Sequence, residues 1–322
     1  MDHKRLEDFA SRVRGAQRRQ ELDAAAAEAL DAFEAAGVAS LLLKGAALSR
    51  FLYAAEERGY SDVDLLVPPD QLAAAGQALT ALGYTNTTAA RGVEDIAGAV
   101  HADTWVRRNE EIGPLMIDLH ARLPGANASP ALVWDVLAAR QVAIEMGGRP
   151  VSVLPREGLA LHVAIHAAQH GPDDPRPLAD LRNALDRWPR TVWEQAADLA
   201  RKLDALEALA AGLRLVPAGL AMATELDLPE TGQIEWEMRN RGVRPRGTFH
   251  LQAIAEARSV RERVQLLRRS LLPKREWIVW EDPRAARGGL ALARARIRHI
   301  LRVPLWALRA LLYRRRRTRR AD

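Results

Sequence analysis

Runs of apolar residues divide the chain into a helical start, a mixed middle and a helical remainder. Residues 1–36 are rich in Ala, Glu, Arg and Leu and lack proline, which predicts one or two helices that end at Gly37. The next apolar runs predict buried strands at 38–43, 63–67, 105–107 and 115–119. Helices are predicted between them at 46–55 and 70–82. This order of strands and helices predicts an α/β or α+β fold.

The second half of the chain is predicted to be mainly helical. Residues 142–144 and 151–153 flank Gly147-Gly148, which predicts a hairpin. After Pro155 the composition is typical of helices almost to Leu272, apart from a basic, breaker-rich loop predicted at 239–247. We therefore predict four segments: a helical arm at 1–36, a mixed core at 37–155, a helical region at 156–283 that shapes the substrate pocket, and a basic tail at 284–322.

The composition and the absence of long apolar runs exclude several classes of protein and of chemistry. Hydrophobic residues make up 48% and charged residues 27%, as in ordinary globular proteins. The chain has no cysteine, which excludes disulfides, thiolate metal sites and cysteine nucleophiles. The first twenty residues are charged throughout and no run of 18 apolar residues occurs, so we expect neither a signal peptide nor a transmembrane segment. A cytoplasmic location is the expectation that fits these features.

The positive charge is concentrated at one end of the chain. The net charge is +6, but residues 284–322 contain thirteen Arg and one Asp, so the other residues sum to −6. Such a tail favours an anionic partner: RNA, DNA, an acidic peptide or anionic lipid. Residues 290–312 could form an amphipathic helix at a membrane surface, a nucleic-acid-binding arm or a helix docked on the body of the protein. Of these three interpretations we favour the docked helix. The role of the last residues stays open.

A pair of acidic residues is the strongest chemical feature. Asp62 and Asp64 are two residues apart at the start of a predicted strand, so they share one face. Adjacent carboxylates repel each other unless a cation lies between them, and their hard oxygens suit Mg²⁺, with Mn²⁺ as the alternative. A third acid, Asp118, lies in another predicted strand. The alternative interpretation is two solvated acids that cap a strand.

Several motifs in a fixed order carry a resemblance to a known family: Leu42–Gly45, Arg58, Asp62–Val67, Gly83-Tyr84 and Ile117–His120. Together they resemble a family of largely uncharacterised bacterial nucleotidyltransferases in the DNA-polymerase-β-like superfamily, some of which occur in lasso-peptide gene clusters. The resemblance covers about residues 25–190. It implies an α+β fold, in which a polymerase-β-like core with a short mixed sheet and helices precedes a mainly helical C-terminal region. It also implies that Asp62, Asp64 and Asp118 hold the metal.

The same resemblance implies a nucleotide-binding turn. Gly45 matches the glycine of the turn at the donor triphosphate, but Ala46 stands where the wider superfamily has serine, so a hydroxyl contact is impossible there. The groups that remain to bind the phosphates are the backbone N–H groups at the start of the following helix and the positively charged side chain of Lys44. Arg58 either contacts phosphate in a bidentate manner or pairs with Glu56 or Glu57.

Histidines form a second group of candidates. His162, His166 and His170 recur every four residues, which places them on one helix face. Zinc binding is one interpretation, although the glutamate of the metalloprotease motif is absent. A second interpretation is that the three histidines orient the substrate, and a third is that they form a half-buried helix face without a chemical role. Proteins of the family that this chain resembles often carry histidines near this point of the sequence, followed by an acid at a position like that of Asp180. His120 is predicted to tune the third carboxylate or accept a proton.

The predicted function is Mg²⁺-dependent transfer of a nucleotidyl group from an NTP, ATP included, to an unidentified acceptor. The acceptor is a peptide, an RNA such as a tRNA end, or a small hydroxyl compound, and the resemblance makes peptide tailoring one candidate. Two alternatives stay open: kinase-like phosphoryl transfer, which uses the same metal cluster, and a non-catalytic adaptor that binds RNA or a partner protein. We expect Asp62→Asn and Asp64→Asn each to abolish transfer and leave the fold intact.

Overall fold

The computed structural model describes residues 3–54, 57–90, 102–110, 112–230, 259–272, 274–275, 278–279 and 282–321. Two compact units emerge: Met1–Thr87 with His101–Glu230, and Thr88–Val100 with Thr231–Asp322. The loop predicted at 239–247 lies outside the described residues. The division into four functional segments stays a prediction.

The first unit contains a mixed sheet and a set of helices. Its strands are β1 Leu41–Leu42, β2 Val63–Leu66, β3 Thr85–Asn86, β4 Asp103–Arg107, β5 Leu115–His120, β6 Val142–Met146 and β7 Arg149–Val153. Its helices are α1 His3–Ala35, α2 Ala46–Leu52, α3 Leu72–Ala81, α5 Pro130–Ala138, α6 Arg156–His170, α7 Pro175–Arg187, α8 Arg190–Lys202, α9 Leu206–Leu213 and α10 Pro217–Glu225. A short helix, α4 Thr87–Ala90, begins at the last residue of the range 1–87 and continues into residues of the second unit. The predicted strands and hairpin are confirmed with shifted ends.

The sheet has the strand order β3-β4-β5-β2-β1-β7-β6. The central pair β2 and β5 is parallel, as is the pair β1 and β7, whereas the other neighbours are antiparallel. Parallel and antiparallel pairs in one sheet, followed by consecutive helices, make the fold α+β as predicted. The first helix is one continuous element that contacts α3, β5 and β6 and buries Leu22, Ala29 and Phe33 of its second half.

The helices after residue 155 form a layer around α6, which confirms the predicted helical region. α6 packs against α7, α8 and α9, and ten of its fifteen residues are buried. At the crossing with α9, a Cβ atom on Gly212 would lie 1.9 Å from the carbonyl oxygen of Ala164. The two helices therefore approach so closely that only glycine fits at position 212.

The second unit has a small core of its own. It contains α11 Val260–Leu271, a 3₁₀ helix at Pro283–Arg287 and α12 Gly289–Ala321, which includes Pro304. Ile278, Ala285 and Ala295 are buried together, and Val279 and Leu292 pack against them. The side chains of 309–321, and with them the arginines at 314–320, lie outside the description. Within the described residues, no helix is long and apolar enough to cross a bilayer.

Candidate active site

The three predicted acids meet at the central pair of parallel strands. Asp64 of β2 lies directly beside Asp118 of β5 in the register of the two strands. Because the strands are parallel and in register, both side chains point to the same face of the sheet. Asp62 immediately precedes β2, two residues before Asp64. One carboxylate oxygen of each of the three lies within 4.8 Å of the others.

Asp64 is held in its charged form. Its side chain is 1% exposed, with Oδ1 lying 3.2 Å from Lys44 Nζ and 3.1 Å from His120 Nε2. Burial by itself would raise the pKa of Asp64, but Lys44 and His120 outweigh burial and hold that pKa well below its ordinary value. In the same way, burial alone would lower the pKa of Lys44, yet the nearby carboxylates raise it. The pair is therefore ionised at neutral pH.

Asp118 shows the opposite behaviour. Burial and the neighbouring charge of Asp64 raise its pKa, although a hydrogen bond with the Thr104 side chain partly opposes the rise. Thr104 is the antiparallel neighbour of Asp118 on β4, so the register of the sheet brings the two together. The ionised form of Asp118 is therefore disfavoured in the protein alone, and a bound cation would favour it.

The free oxygens of the cluster fit a hard metal ion. Among the described residues, Asp64 Oδ2 and Asp118 Oδ1 are buried carboxylate oxygens that have no hydrogen-bond partner. A buried charged oxygen without a donor is costly, so such atoms are usually paired or bound to metal. Three carboxylates without a sulfur or nitrogen ligand suit Mg²⁺ or Mn²⁺ better than softer ions.

The turn predicted to contact phosphate passes directly beside the acids. Gly45 precedes α2 with a φ of 65°, and a Cβ there would lie 3.4 Å from the carbonyl oxygen of Asp62 and 3.5 Å from the Tyr60 ring. These are ordinary contact distances, so it is the positive φ that disfavours any residue other than glycine at this position. The neighbouring Lys44 points its ammonium group at Asp64, so its closest partner in the protein is the acidic cluster.

Arg58 pairs with a distant acid. Its Nε donates to Asp180 Oδ1 and its Nη2 donates to Asp180 Oδ2, both at 2.8 Å, and the two side chains are buried. Its Nη1 donates to the carbonyl oxygen of Gly45 at 3.3 Å. The predicted pairing of Arg58 with Glu57 is wrong, because Glu57 lies 3.8 Å from Arg187 instead. Glu56 lies outside the described residues.

Asp180 is therefore an anchor for the turn rather than an isolated acid. Tyr53 Oη also donates to Asp180 Oδ1, at 2.5 Å, and burial together with this bond raises the pKa of Tyr53 to about 12. These contacts connect α7 to the Gly45 turn through Arg58. The arrangement indicates a positioning role for Arg58 at the turn.

Breaking this buried pair is expected to destabilise the first unit. Asp180→Asn leaves the buried Arg58 guanidinium without its counter-charge, so we expect the free energy of unfolding to fall by about 3 kcal/mol. Urea denaturation of the variant and the parent protein would measure the change. Arg201→Ala is the matched control, because the Arg201–Asp198 pair is exposed and its loss is expected to cost less than about 1 kcal/mol. Equal effects of the two substitutions would contradict the structural role of the buried pair.

The histidine stripe lies on α6 as predicted. The rings of His162 and His166 are stacked with centroids 6.2 Å apart, and those of His166 and His170 meet edge-on at 4.5 Å. Burial lowers the pKa of His166 well below its ordinary value, and the nearby Lys44 charge adds to the effect. His166 is therefore neutral at neutral pH and near the acidic cluster. His170 is exposed and pairs with Asp174 at 2.7 Å.

Two details of the site differ from the sequence-based expectation or were missed by it. The hydrogen bond of His120 to Asp64 was not predicted, and it forms because His120 lies diagonally across from Asp64 on the same face of the sheet. His120 also acts on the third carboxylate as predicted, since it lowers the pKa of Asp118. Thr104, which pairs with Asp118 across the sheet, was not predicted as a site residue. The available signal was its position directly before Trp105, the first residue of a predicted strand. In the described part of the chain, three potential metal ligands come together at Asp62, Asp64 and Asp118. This group contains no histidine.

The α1 helix supports the loop that carries Asp62, which the sequence did not indicate. Tyr60 Oη donates to Asp23 in α1, and Arg50 also contacts Asp23, at 3.5 Å. Arg18 donates to the carbonyl oxygen of Ser61 at 3.4 Å. The residues immediately before the acidic pair are therefore held from the side of α1.

The site thus has one acid on a central strand of the sheet, a second acid just before that strand and a third acid on the parallel neighbouring strand. The sequence family described as "Uncharacterised nucleotidyltransferase" matches residues 2–220, and the chain belongs to that family. The chain is a nucleotidyltransferase on this ground. No curated protein matches it in sequence.

Solved structures of other nucleotidyltransferases are similar over part of the chain. The antibiotic-resistance factor ANT(2'')-Ia is 16% identical, with a TM-score of 0.36 over 56% of this chain and 91% of that chain. A nucleotidyltransferase-like antigen from Paracoccidioides brasiliensis is 15% identical, with a TM-score of 0.35 over 59% and 92%. The lincosamide antibiotic adenylyltransferase LnuA is 18% identical, with a TM-score of 0.31 over 48% and 90%. The family membership rests on the sequence match.

Proposed function

We propose that the protein transfers a nucleotidyl group from an NTP to a hydroxyl-bearing acceptor, with Asp62, Asp64 and Asp118 as the ligands of Mg²⁺ or Mn²⁺. The observation that supports this most is the acidic cluster, in which two buried carboxylate oxygens have no hydrogen-bond partner among the described residues. A bound Mg²⁺ would neutralise charge on the triphosphate and orient it for in-line attack.

Each acid has a distinct proposed role. Asp64 is kept ionised by Lys44 and His120, so it is the ligand whose charge is available at all ordinary pH values. Asp118 has a raised pKa and is proposed to accept the proton of the acceptor hydroxyl. The acceptor oxygen then forms a bond to the α-phosphorus of the NTP, and the bond from that phosphorus to pyrophosphate breaks. Asp62 would complete the ligand set.

The phosphate-binding part of the proposal involves Lys44, Gly45 and Arg58. The backbone at Gly45 runs beside Asp62, so a triphosphate bound at the turn would lie next to the metal ligands. Lys44 places a cation between the turn and Asp64. Because both arms of the Arg58 guanidinium are bonded to Asp180, we propose that Arg58 holds the turn in place. The neutral His166 near Lys44 is a proposed contact for substrate, with His170 and Asp180 farther from the cluster.

The acceptor class is a separate question. The lasso-cluster resemblance favours a peptide hydroxyl, and RNA ends and small hydroxyl compounds have the same nucleophilic group. Kinase-like phosphoryl transfer would use the same cluster with attack at the γ-phosphorus. The released product distinguishes these reactions, since nucleotidyl transfer yields pyrophosphate and phosphoryl transfer yields a nucleoside diphosphate.

We expect NTP to stabilise the protein only when Mg²⁺ or Mn²⁺ is present. A ligand that binds only the folded state adds about 2.7 kcal/mol at a hundredfold excess over Kd, which is readily seen as a rise in Tm. Thermal denaturation with each of the four NTPs, with and without the metal, would measure this. The four nucleotides also report the donor preference.

Matched variants make this test specific. Asp118→Asn is expected to lose the metal-dependent shift, whereas Asp198→Asn, the same change at an exposed acid in α8, is expected to keep it. Absence of a shift with all four NTPs in the parent protein would overturn the proposal. A shift that Asp118→Asn retains in full would show that the nucleotide binds elsewhere.

A further inference from the structure

The α12 helix carries an apolar stripe that points into solvent. Its members recur at intervals of seven, four, four and three residues, which places them on one side of a helix. They are Leu290, Ile297, Leu301, Leu305 and Leu308, with exposures of 76%, 57%, 65%, 55% and 51%. Exposed aliphatic residues are normal when scattered singly, whereas a continuous stripe indicates an interaction surface.

The stripe lies opposite the side of α12 that packs in the second unit. Ala295 and His299 are one turn apart and each only 5% exposed, and Ala295 belongs to the small core with Ile278 and Ala285. On a helical projection these two positions lie roughly 120–180° from the apolar stripe. The core of the unit therefore uses one side of α12 and leaves the other apolar side uncovered by the described residues.

The neighbouring helix α11 has the same character and is in contact with α12. Val260, Val264 and Leu267 recur on one side of α11 and are 76%, 58% and 46% exposed. Exposed Arg261 and Arg263 lie between them along the chain. The unit thus contains two amphipathic helices whose apolar sides are accessible and whose charged residues are mainly arginines.

The charge around the stripe is strongly positive. Arg294, Arg296, Arg298 and Arg302 are exposed on α12 beside the apolar residues, and Arg298 contacts Asp282. Residues 284–322 as a whole contain thirteen Arg and one Asp. Helices in which arginines flank a stripe of Leu and Ile bind in the interface of anionic bilayers, where acyl chains accept the apolar stripe and headgroups the arginines.

We infer that α12 binds the surface of an anionic lipid bilayer, with its apolar stripe in the acyl region and its arginines at the headgroups. Nucleic acid would satisfy the arginines alone, because a phosphate backbone gives the leucines nothing to bury against. The helix lies along the surface instead of crossing it, since no described helix is apolar enough to span a membrane. This inference goes beyond the proposed transfer reaction and does not depend on it.

Co-sedimentation of the full chain with phosphatidylcholine vesicles, with and without phosphatidylserine, tests the inference. We expect binding to the mixed vesicles and at least tenfold weaker binding to the neutral ones. The triple variant Ile297→Gln, Leu301→Gln, Leu305→Gln is expected to bind the mixed vesicles at least tenfold more weakly than the parent. The matched control is Leu132→Gln, Val142→Gln, Leu220→Gln, which changes three exposed aliphatic residues of the first unit and should bind as the parent does.

The other outcomes each overturn the inference. Equal vesicle binding by the triple variant and the parent would show that charge alone attracts the lipid. Binding of tRNA but not of vesicles would make the basic helix a nucleic-acid arm. Self-association in sedimentation velocity that the triple variant abolishes, without vesicle binding by the parent, would assign the stripe to a second copy of the chain. A Tm equal to that of the parent establishes that the variant is folded.

Discussion

Asp118→Asn and Asp64→Asn are each expected to lower nucleotidyl transfer by about 10²–10³-fold or more, because each removes a charged ligand of the proposed metal site. The expected loss is in kcat, since the metal orients and neutralises the reacting phosphate. Pyrophosphate release at saturating NTP and Mg²⁺ measures it once an acceptor is known. Near-parental turnover in either variant would remove that residue from the metal site.

The same two substitutions are expected to change stability in opposite directions. Asp64 has a lowered pKa and a buried partner in Lys44, so Asp64→Asn should cost about 1–3 kcal/mol of unfolding free energy. Asp118 has a raised pKa through burial and repulsion, so Asp118→Asn should raise Tm in metal-free buffer. The structure thus changes the expectation that Asp64→Asn leaves stability intact.

The pH dependence has a definite sign for Asp64. A carboxyl whose folded pKa lies below its unfolded value contributes stability above the unfolded pKa, and that stability is lost as the pH falls towards the folded pKa. The difference in Tm between the parent and Asp64→Asn should therefore be present at neutral pH and shrink in acid. Thermal melts with EDTA from neutral to acid pH measure it, with Asp198→Asn as the control. A constant difference would contradict the assignment.

Gly212→Ala adds a single methyl group to the first unit and is expected to lower its stability strongly. The added Cβ would lie 1.9 Å from the carbonyl oxygen of Ala164 and 2.5 Å from its carbonyl carbon, and backbone atoms cannot rotate away as a side chain would. The helices α6 and α9 must then separate. Overpacking of this kind typically costs about 3 kcal/mol, which lowers Tm by about 6–12 °C in a unit of this size.

Gly15→Ala is the matched control for this prediction. Gly15 also lies within a helix, α1, but a Cβ there would meet nothing described within 4 Å. Alanine has the higher helix propensity, so this variant should be as stable as the parent or up to about 1 kcal/mol more stable. Urea denaturation of both variants measures the two effects. If Gly212→Ala proved as harmless as Gly15→Ala, α6 and α9 would not pack as closely as the structure shows.

A separation of α6 from α9 would also reach the active site. α6 carries His162 and His166, and Lys44 and Asp64 act on the pKa of His166. A shift of α6 would therefore change the surroundings of the acidic cluster without altering any of its ligands. Loss of activity in a folded Gly212→Ala protein would report on this positioning.

Local patterns in the sequence were enough to predict most elements of the first unit. β1, β2 and β4 to β7 were predicted within a few residues, since alternation and apolar runs depend only on neighbours along the chain. The two-residue strand β3, Thr85–Asn86, was not predicted. The shared face of Asp62 and Asp64 follows from the two-residue repeat of a strand in the same way. Gly147 was identified from the hairpin pattern and Gly45 from the family resemblance, and both have the positive φ that favours glycine.

Partners far apart in the chain were decided only by the tertiary structure. Asp64 and Asp118 became neighbours through the parallel register of β2 and β5, and a shift of one residue would have turned one acid to the other face. The Arg58–Asp180 pair spans 122 residues, whereas the sequence offered Glu56 and Glu57 as closer choices. His120 reached Asp64 for the same reason of register.

The basic C-terminus shows the same division. The sequence alone determined that arginines are interspersed with apolar residues over 290–312, and so that a helix there would be amphipathic. Only the fold decided which side of α12 is buried, because Ala295 enters a core whose other members, Ile278 and Ala285, come from different segments. Periodicity acts between residues a few positions apart and is written in the sequence itself. Which apolar side is covered depends on contacts between distant segments, and these exist only once the chain has folded.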